Sequence, residues 1–233
     1  MQIKISVMNR LHFTFFGVLI LLMSSCGKEE INIEPQNPIF PLNVGNSWSY
    51  EETVNNRTGI VRINIQNLYT IDGTTGFFMN GYRNEDPILS EYKNGDPVSL
   101  FKNDEDGNCI EYFFNKDKLV HSTILYKKEV KKGDNWKRKT VGYIDGDRSK
   151  YDIEERIITC ISSDTIISTP KGDFHCVGFS YHLGGKQTNG DPSDTMIEFL
   201  SKNLGMVKYI HYEHDRDKTW LYVERVLTSY SLK

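Results

Sequence analysis

The chain has 233 residues, of which 38% are hydrophobic, and its 28 basic and 31 acidic side chains give a formal charge of −3. A nucleic-acid-binding domain would carry a basic stripe. The two lysine-rich places, 127–132 and 137–139, instead flank a predicted turn and are interpreted as solvated surface. No nucleic-acid partner is therefore expected. The length suits one β-rich domain or two small ones, and it is ample for a hydrophobic core.

The N-terminus has the pattern of a signal peptide. Lys4 and Arg10 precede an apolar run over 11–23, which is shorter than the roughly 20 residues that a membrane span needs. Ser24 and Ser25 end this run with small side chains. A positive start, a short apolar run and a small-residue end predict a signal peptide over residues 1–25, and a short membrane-anchor helix is the alternative. Either Met1 or Met8 can serve as the initiator.

The cysteine that follows carries a family resemblance. Met23-Ser24-Ser25-Cys26 resembles a bacterial lipobox, and Gly27-Lys28-Glu29-Glu30 resembles the acidic export signal of Bacteroidetes surface lipoproteins. The resemblance implies that Cys26 is acylated and anchors an outer-membrane lipoprotein, on the cell surface or the periplasmic face. Several acyl chains would make that attachment stable. Residues 26–39 are then the lipidated cysteine and a polar, proline-containing tether.

From residue 40 onward the chain has the pattern of an all-β protein. Runs rich in Ile, Val, Thr, Tyr and Phe alternate with turn sequences, which are Asp72-Gly73, Asn94-Gly95-Asp96, Asp106-Gly107-Asn108, Asp145-Gly146-Asp147 and Lys171-Gly172-Asp173. This spacing predicts an antiparallel meander without a long helix. The Ile and Thr content of 149–161 favours a strand there, and 220–226 is predicted as a core strand. Residues 40–233 are predicted to form a single β domain.

The predicted domain contains two similar turn sequences. Gly45-Asn46-Ser47-Trp48 recurs in its residue pattern as Gly133-Asp134-Asn135-Trp136. This recurrence predicts two similar halves, about 40–130 and 131–233, and chance recurrence of a turn before an aromatic residue is the alternative. Trp48 and Tyr50, two residues apart in a strand, are expected on one face.

Three short patterns resemble a group of secreted bacterial β-proteins of unknown function. They are the opening Phe-Pro-Leu-x-x-Gly-x-x-Trp at 40–48, the Pro-x-Gly-x-Phe hairpin at 170–174 and the late Gly-x-Val-Lys strand at 205–208. The resemblance implies a curved antiparallel sheet, such as a half-barrel like that of periplasmic lipoprotein carriers. It brings no catalytic residues.

The three cysteines after Cys26 are Cys109, Cys160 and Cys176, so at least one is unpaired. If a hairpin centres on Lys171-Gly172, Cys176 faces Ile167 and cannot pair directly with Cys160, although another strand order would allow the bond. A disulfide and three buried thiols both remain open.

Motifs that carry chemistry are not found. The acidic stretch 103–108 fails as a calcium loop, because Lys102 and Phe113 occupy ligand positions, and it is interpreted as an acidic hairpin turn. His211 and His214 are three apart, so a strand would place them on opposite faces and disfavour a metal pair. Nucleophile, zinc-protease, Walker and dinucleotide motifs are absent from the sequence. No catalytic residue, metal site or cofactor is therefore predicted.

Two modification sites and three classes of function follow. Asp164-Thr165-Ile166 and Asp194-Thr195-Met196 resemble the O-glycosylation motif of Bacteroidetes exported proteins, which implies glycans on Thr165 and Thr195. The favoured function is a membrane-anchored, non-catalytic binding or accessory module whose ligand is a glycan, a lipid or a protein. The alternatives are a cell-envelope hydrolase, with carboxylates that converge only in the fold, and a purely structural envelope protein. The aromatic residues of 112–114 with Tyr209 and Tyr212 either pack the sheet or contact a ligand.

Overall fold

The computed structural model describes residues 37–84, 86–87, 97–144, 147–183, 194–215 and 218–233. The predicted signal peptide, Cys26 and the turn at 94–96 lie outside these residues. In the described part of the chain, no helix is long and apolar enough to cross a membrane. The described residues form thirteen strands: β1 (Ser47–Val54), β2 (Arg57–Ile71), β3 (Thr74–Arg83), β4 (Asp86–Pro87), β5 (Val98–Asn103), β6 (Cys109–Asn115), β7 (Lys118–Tyr126), β8 (Asn135–Ile144), β9 (Asp147–Thr169), β10 (Gly172–Leu183), β11 (Asp194–Ser201), β12 (Gly205–Asp215) and β13 (Lys218–Ser231).

The strands form one curved antiparallel sheet in the order β7-β6-β5-β3-β2-β1-β13-β12-β11-β10-β9-β8, with β4 paired to β3. The all-β, half-barrel prediction is confirmed. The sheet consists of two meanders, and β1 joins them by pairing with β13, so that Trp48 lies opposite Tyr230. Its two edges are β7 and β8, which follow each other in the chain.

The two edge strands approach each other at a seam. Trp136 of β8 donates its indole N–H to the carbonyl oxygen of Ile124 on β7, at 3.0 Å. The backbone N–H of Lys139 donates to Thr123 Oγ1, also at 3.0 Å. These bonds hold β7 to β8 without a regular backbone ladder, so the sheet is curved but open.

Tight turns give the strands their register. Asn55-Asn56, Asp72-Gly73 and Lys116-Asp117 each have two consecutive residues with positive φ, between 47° and 75°. Two such residues in a row form the two-residue hairpin turn whose twist matches that of the flanking strands. The β9–β10 hairpin differs from the register considered above, because Gly172 lies opposite Thr169 and Cys176 lies opposite Thr165. Its turn therefore centres on Pro170-Lys171.

The core lies on the concave face of the sheet. Trp48 and Tyr50 are each 1% exposed, as the alternation in β1 predicts. Phe40, Trp48, Tyr126 and Phe179 stand in ring contact, with centroids 5.0 to 6.4 Å apart. A smaller apolar cluster contains Ile71, Phe78, Val98, Leu100 and Phe114. The start of β13 does not fit the prediction of a core strand, because Trp220 is 39% exposed and Leu221 is 47% exposed near the hairpin tip.

The segment before β1 closes one end of the half-barrel. Ile39 and Leu42 have no exposed surface. The Ile39 N–H donates to the Gly107 carbonyl in the β5–β6 turn, and the Pro38 carbonyl accepts from Asn203 in the β11–β12 turn. Pro38 and Ile39 therefore pack with the domain, although the sequence assigns them to the tether.

The two similar turn sequences have equivalent local geometry. Gly45 and Gly133 have φ values of 95° and 94°. The Gly45 N–H donates to Ile65 on β2, and the Gly133 N–H donates to Cys160 on β9, both at 2.8 Å. In each case the partner residue donates back to the residue after the glycine. The organisation into two similar halves remains a prediction.

Candidate functional site

The concave face carries a polar cluster within its apolar core. We define the Arg138 cluster as Glu111, Tyr126, Arg138, Tyr181 and Glu198, from β6, β7, β8, β10 and β11. The side chains of Arg138 and Glu198 are only 13% and 8% exposed. Strand alternation explains these positions, since Glu198 shares the inward face of β11 with Met196 and Leu200, both buried.

Arg138 and Glu198 face each other but do not satisfy each other. Arg138 Nη1 lies 3.8 Å from Glu198 Oε2, which is too long for a hydrogen bond. Among the described residues, Arg138 Nε, Arg138 Nη1 and Glu198 Oε2 have no hydrogen-bond partner. Buried polar atoms are nearly always paired in folded proteins. Two donors of Arg138 and one acceptor of Glu198 therefore lie close together in the core without partners among the described residues.

The surroundings of Arg138 fix its charge. The Tyr181 hydroxyl donates to Glu198 Oε1 at 3.0 Å. The guanidinium of Arg138 lies 5.2 Å from the ring centre of Tyr181 and 5.9 Å from that of Tyr126. Burial is the largest single effect and lowers the pKa of Arg138. The charge interactions with Glu198, Tyr126, Tyr181 and Glu111 together outweigh burial and hold that pKa above its usual value. Arg138 is therefore a permanent cation between two aromatic rings.

Glu111 adds a second carboxyl group beside Arg138. Burial raises the pKa of Glu111, and both the hydrogen bond from Ser99 and the charge of Arg138 oppose that rise. Ser99 Oγ donates to Glu111 Oε1 at 2.7 Å. The cluster therefore pairs a fixed cation with a carboxyl group that holds its proton to higher pH than a solvated glutamic acid does.

A second buried ion pair lies on the same face. Glu52 is 2% exposed and accepts from Arg83 Nε at 2.7 Å and also from Arg225. Glu51 is exposed, so the adjacent carboxylates of Glu51 and Glu52 lie on opposite faces of the sheet. Both arginines contact the Glu52 carboxylate, and neither oxygen of Glu52 is unpaired in the described structure. This group of three side chains therefore contributes to packing and, unlike the Arg138 cluster, leaves no carboxylate oxygen for a ligand.

Histidines collect at one end of β10–β13. His211 and His214 lie on opposite faces, as the three-residue spacing predicts. On the outer face, Thr195 Oγ1 lies 3.2 Å from His182 Nδ1 and 2.9 Å from His214 Nε2. On the concave face, His211 lies beside Asp194 and Glu213, and the ligand atoms of these three residues are within 4.8 Å of one another. We call these three residues the His211 group.

The acidic turn, Thr165 and the aromatic residues of 112–114 lie outside the Arg138 cluster and the His211 group. Asp104 accepts hydrogen bonds from the backbone and side chain of Asn108, each at 2.8 Å, which confirms a hairpin turn. Thr165 is half-buried opposite Cys176 in the β9–β10 hairpin. Phe113 and Phe114 are buried, which favours packing over ligand contact. O-glycosylation of Thr165 and Thr195 remains a prediction.

The three described cysteines are all free and buried, namely Cys109, Cys160 and Cys176. The sequence left open a disulfide or three buried thiols, and the structure has three buried thiols. Burial raises the pKa of each thiol, and for Cys176 to about 12. Thiols with raised pKa values are poor nucleophiles, so these cysteines belong to the core.

A shallow depression of about 370 Å³ lies over β1–β3. Polar side chains of its lining include Ser47, Ser49, Arg62 and Tyr82. The depression lacks a carboxylate among its lining residues. The Arg138 cluster, with its unpaired and buried charged atoms, is therefore the stronger candidate site.

Among protein families, curated proteins and solved structures, only solved structures show similarity to the chain. No protein-family model matches the chain, and no curated protein matches it. Two solved structures are similar. One is a candidate exported protein with a YmcC-like fold from Bacteroides fragilis, at 12% identity, with 84% of this chain and 100% of that chain covered and a TM-score of 0.43. The other is a candidate lipoprotein from Parabacteroides distasonis, at 14% identity, with 84% and 99% covered and a TM-score of 0.44.

Proposed function

We propose that the chain is a non-catalytic binding module of the cell envelope, anchored to the outer membrane through Cys26, and that the Arg138 cluster binds a small hydroxyl-rich ligand of the glycan class. The observation that carries the proposal is the buried, mutually unsatisfied pair of Arg138 and Glu198. A ligand hydroxyl both donates and accepts, so one hydroxyl can bridge the guanidinium and the carboxylate.

The filling of the core favours a polar ligand over a lipid. Aromatic rings occupy the concave face around the cluster, and Trp136 packs edge-on against Phe179 at 5.4 Å. Phe40 from the segment before β1 stacks on Tyr126 at 6.4 Å. An acyl chain would have to displace several of these rings, whereas a single hydroxyl group needs only enough local movement to approach both charged atoms from one side.

The seam between β7 and β8 gives the ligand a route to the cluster. Arg138 lies on edge strand β8, and Tyr126 lies on edge strand β7. Two described hydrogen bonds, from Trp136 and from Lys139, hold the strands together there. Opening the seam therefore costs fewer hydrogen bonds than separating two strands of the regular ladder.

The test is native mass spectrometry on the full chain released from detergent, followed by titration with a panel of neutral and carboxylated oligosaccharides. We expect an extra mass that is lost on denaturation, or saturable binding of a panel member. Arg138→Met should abolish either signal. Lys208→Met serves as the matched control. It removes an ion pair on the outer face, in which Lys208 Nζ lies 2.6 Å from Glu224 Oε1. Absence of both signals, or equal binding by Arg138→Met, would contradict the proposal.

One observation favours a hydrolase as the second candidate. Glu111 and Glu198 both interact with Arg138, and the pKa of Glu111 is raised. Glycoside hydrolysis uses two carboxyl groups, of which the general acid has a raised pKa. The unaltered chain should then hydrolyse a member of the oligosaccharide panel, and Glu111→Gln should bind that oligosaccharide without hydrolysing it. This result would favour the hydrolase over the binding module.

A further inference from the structure

The His211 group is the described cluster whose chemistry the proposed function does not use. His211 Nε2 lies 3.1 Å from Asp194 Oδ2. Glu213 brings a carboxylate oxygen within 4.8 Å of one ligand atom of each of these residues. The His211 side chain is 11% exposed, and that of Asp194 is 34% exposed. The group therefore lies at a rim, partly shielded by protein and partly open to solvent.

Strand geometry assembles the group. His211 and Glu213 are two residues apart on β12, so they share a face. Met196 lies opposite His211 and Thr195 lies opposite Tyr212 in the β11–β12 ladder. Continuing this register by one residue places Asp194 opposite Glu213. Three ligand-type side chains therefore converge on the concave face from two neighbouring strands, and no loop is needed to bring them together.

Neighbouring groups hold the side chains in orientation. The His211 ring packs edge-on against Tyr222, with centroids 5.1 Å apart. The His214 backbone N–H donates to Asp194 Oδ1 at 3.3 Å, which directs Oδ2 toward His211. Supporting contacts of this kind fix ligand orientation around protein-bound metals.

The donor set and the spacing fit a tetrahedral divalent ion. One imidazole nitrogen and two carboxylate oxygens are ligands that Zn²⁺ accepts, with bonds of about 2.0–2.2 Å. Ligand atoms on such a tetrahedron lie about 3.3 Å apart. The distance between His211 Nε2 and Asp194 Oδ2 is already close to this value. A change of side-chain rotamer would bring Glu213 into range.

We propose that Asp194, His211 and Glu213 form a binding site for a divalent transition-metal ion of the Zn²⁺ class, with a fourth position open to water or to a ligand group. The site is independent of the Arg138 cluster, because the two use different residues. A simple ion pair between His211 and Asp194 is the competing explanation for the geometry, and the experiment below separates the two.

The experiment is a titration of the full chain in detergent, stripped of metal with a chelator, with ZnCl₂ and separately with CaCl₂. Competition against a chromophoric chelator gives stoichiometry and affinity. The variants are His211→Gln and Glu213→Gln, and thermal unfolding of each verifies folding. His182→Gln is the matched control, since it removes an exposed histidine from β10 on the opposite face. X-ray absorption at the zinc edge counts imidazole ligands.

We expect one Zn²⁺ per chain, one imidazole ligand and a higher melting temperature with Zn²⁺. Loss of even supporting contacts costs about 10–100-fold in metal affinity, so loss of a direct ligand in either variant should cost at least that much. His182→Gln should bind as the unaltered chain does. Failure to bind Zn²⁺, preference for Ca²⁺, equal weakening by His182→Gln or full affinity in folded Glu213→Gln would each overturn the proposal.

Discussion

Removing the cation of the Arg138 cluster should destabilise the protein strongly. In Arg138→Met, the Glu198 carboxylate stays buried and loses its counter-charge. At an effective dielectric constant of about 20, two charges at 3.8 Å interact with about 4 kcal/mol. Loss of one member of a buried pair costs about 3–5 kcal/mol. We therefore expect the free energy of unfolding to fall by that amount at pH 7.

The assay is urea unfolding followed by the fluorescence of the buried Trp48 and Trp136. With a urea dependence of about 2–3 kcal/mol/M, the midpoint should fall by about 1–2.5 M. Arg138→Met/Glu198→Gln should recover most of the loss, because the unpaired charge is gone. A loss below about 1 kcal/mol, or a double variant no more stable than Arg138→Met, would refute the reasoning.

Three further predictions address the pH dependence, the thiols and the turns. Burial raises the pKa of Glu111 in the folded chain, so stability should fall as pH rises from the unfolded value of about 4.3 through the folded pKa. Glu111→Gln should remove this fall, so the variant should be more stable than the unaltered chain at pH 8 but not at pH 4. Urea unfolding measures the free energy of unfolding of both chains across this pH range, and parallel curves for the two chains would contradict the prediction. In the chain with Cys26 acylated as proposed, thiol labelling with intact-mass readout should find no reaction in the folded protein and three reactive thiols after denaturation, at Cys109, Cys160 and Cys176. Gly133→Ala should cost about 1–2 kcal/mol through its positive φ alone, because nothing lies within 4 Å of the added Cβ. Gly205→Ala should cost more by the same assay, since its Cβ would lie 2.9 Å from Phe40; equal costs would show that the ring moves aside freely.

The strand content and the faces of individual strands were predictable because they depend on local patterns. Trp48 and Tyr50 are buried together, and 149–161 lies within β9, as the sequence indicates. The exposure of Trp220 and Leu221 was not predictable, because it depends on how far the β12–β13 hairpin extends beyond the core. Hydrophobic alternation alone does not give that length.

The candidate sites depend on pairings between distant strands. Glu111 and Glu198 are isolated charges in the sequence, whereas Arg138 stands between Lys137 and Lys139 in a stretch that the sequence indicates as solvated surface. That interpretation is wrong for Arg138, whose side chain is only 13% exposed, and only the sheet order brings the three charges together. One local signal was present, since Glu198 alternates with Met196 and Leu200 and so points into the core. For the His211 group, the spacing of His211 and Glu213 in a strand predicts that both side chains lie on one face. The sequence also offers His214 as a partner of His211, but His214 lies on the other face. Asp194 required the β11–β12 register, which one sequence does not supply.

The pairing of β1 with β13 has a consequence for how the protein reaches its folded state. Each meander can form from neighbouring strands as they appear, since the strands that pair within it follow each other closely in the chain. The first strand, however, finds its second neighbour only when the last strand is available. A chain that is synthesised N-terminus first must therefore wait with one edge of β1 unpaired. Such long-range closure is slow compared with hairpin formation. Pairing of the last strand with the first is thus the step that joins the two meanders into one sheet.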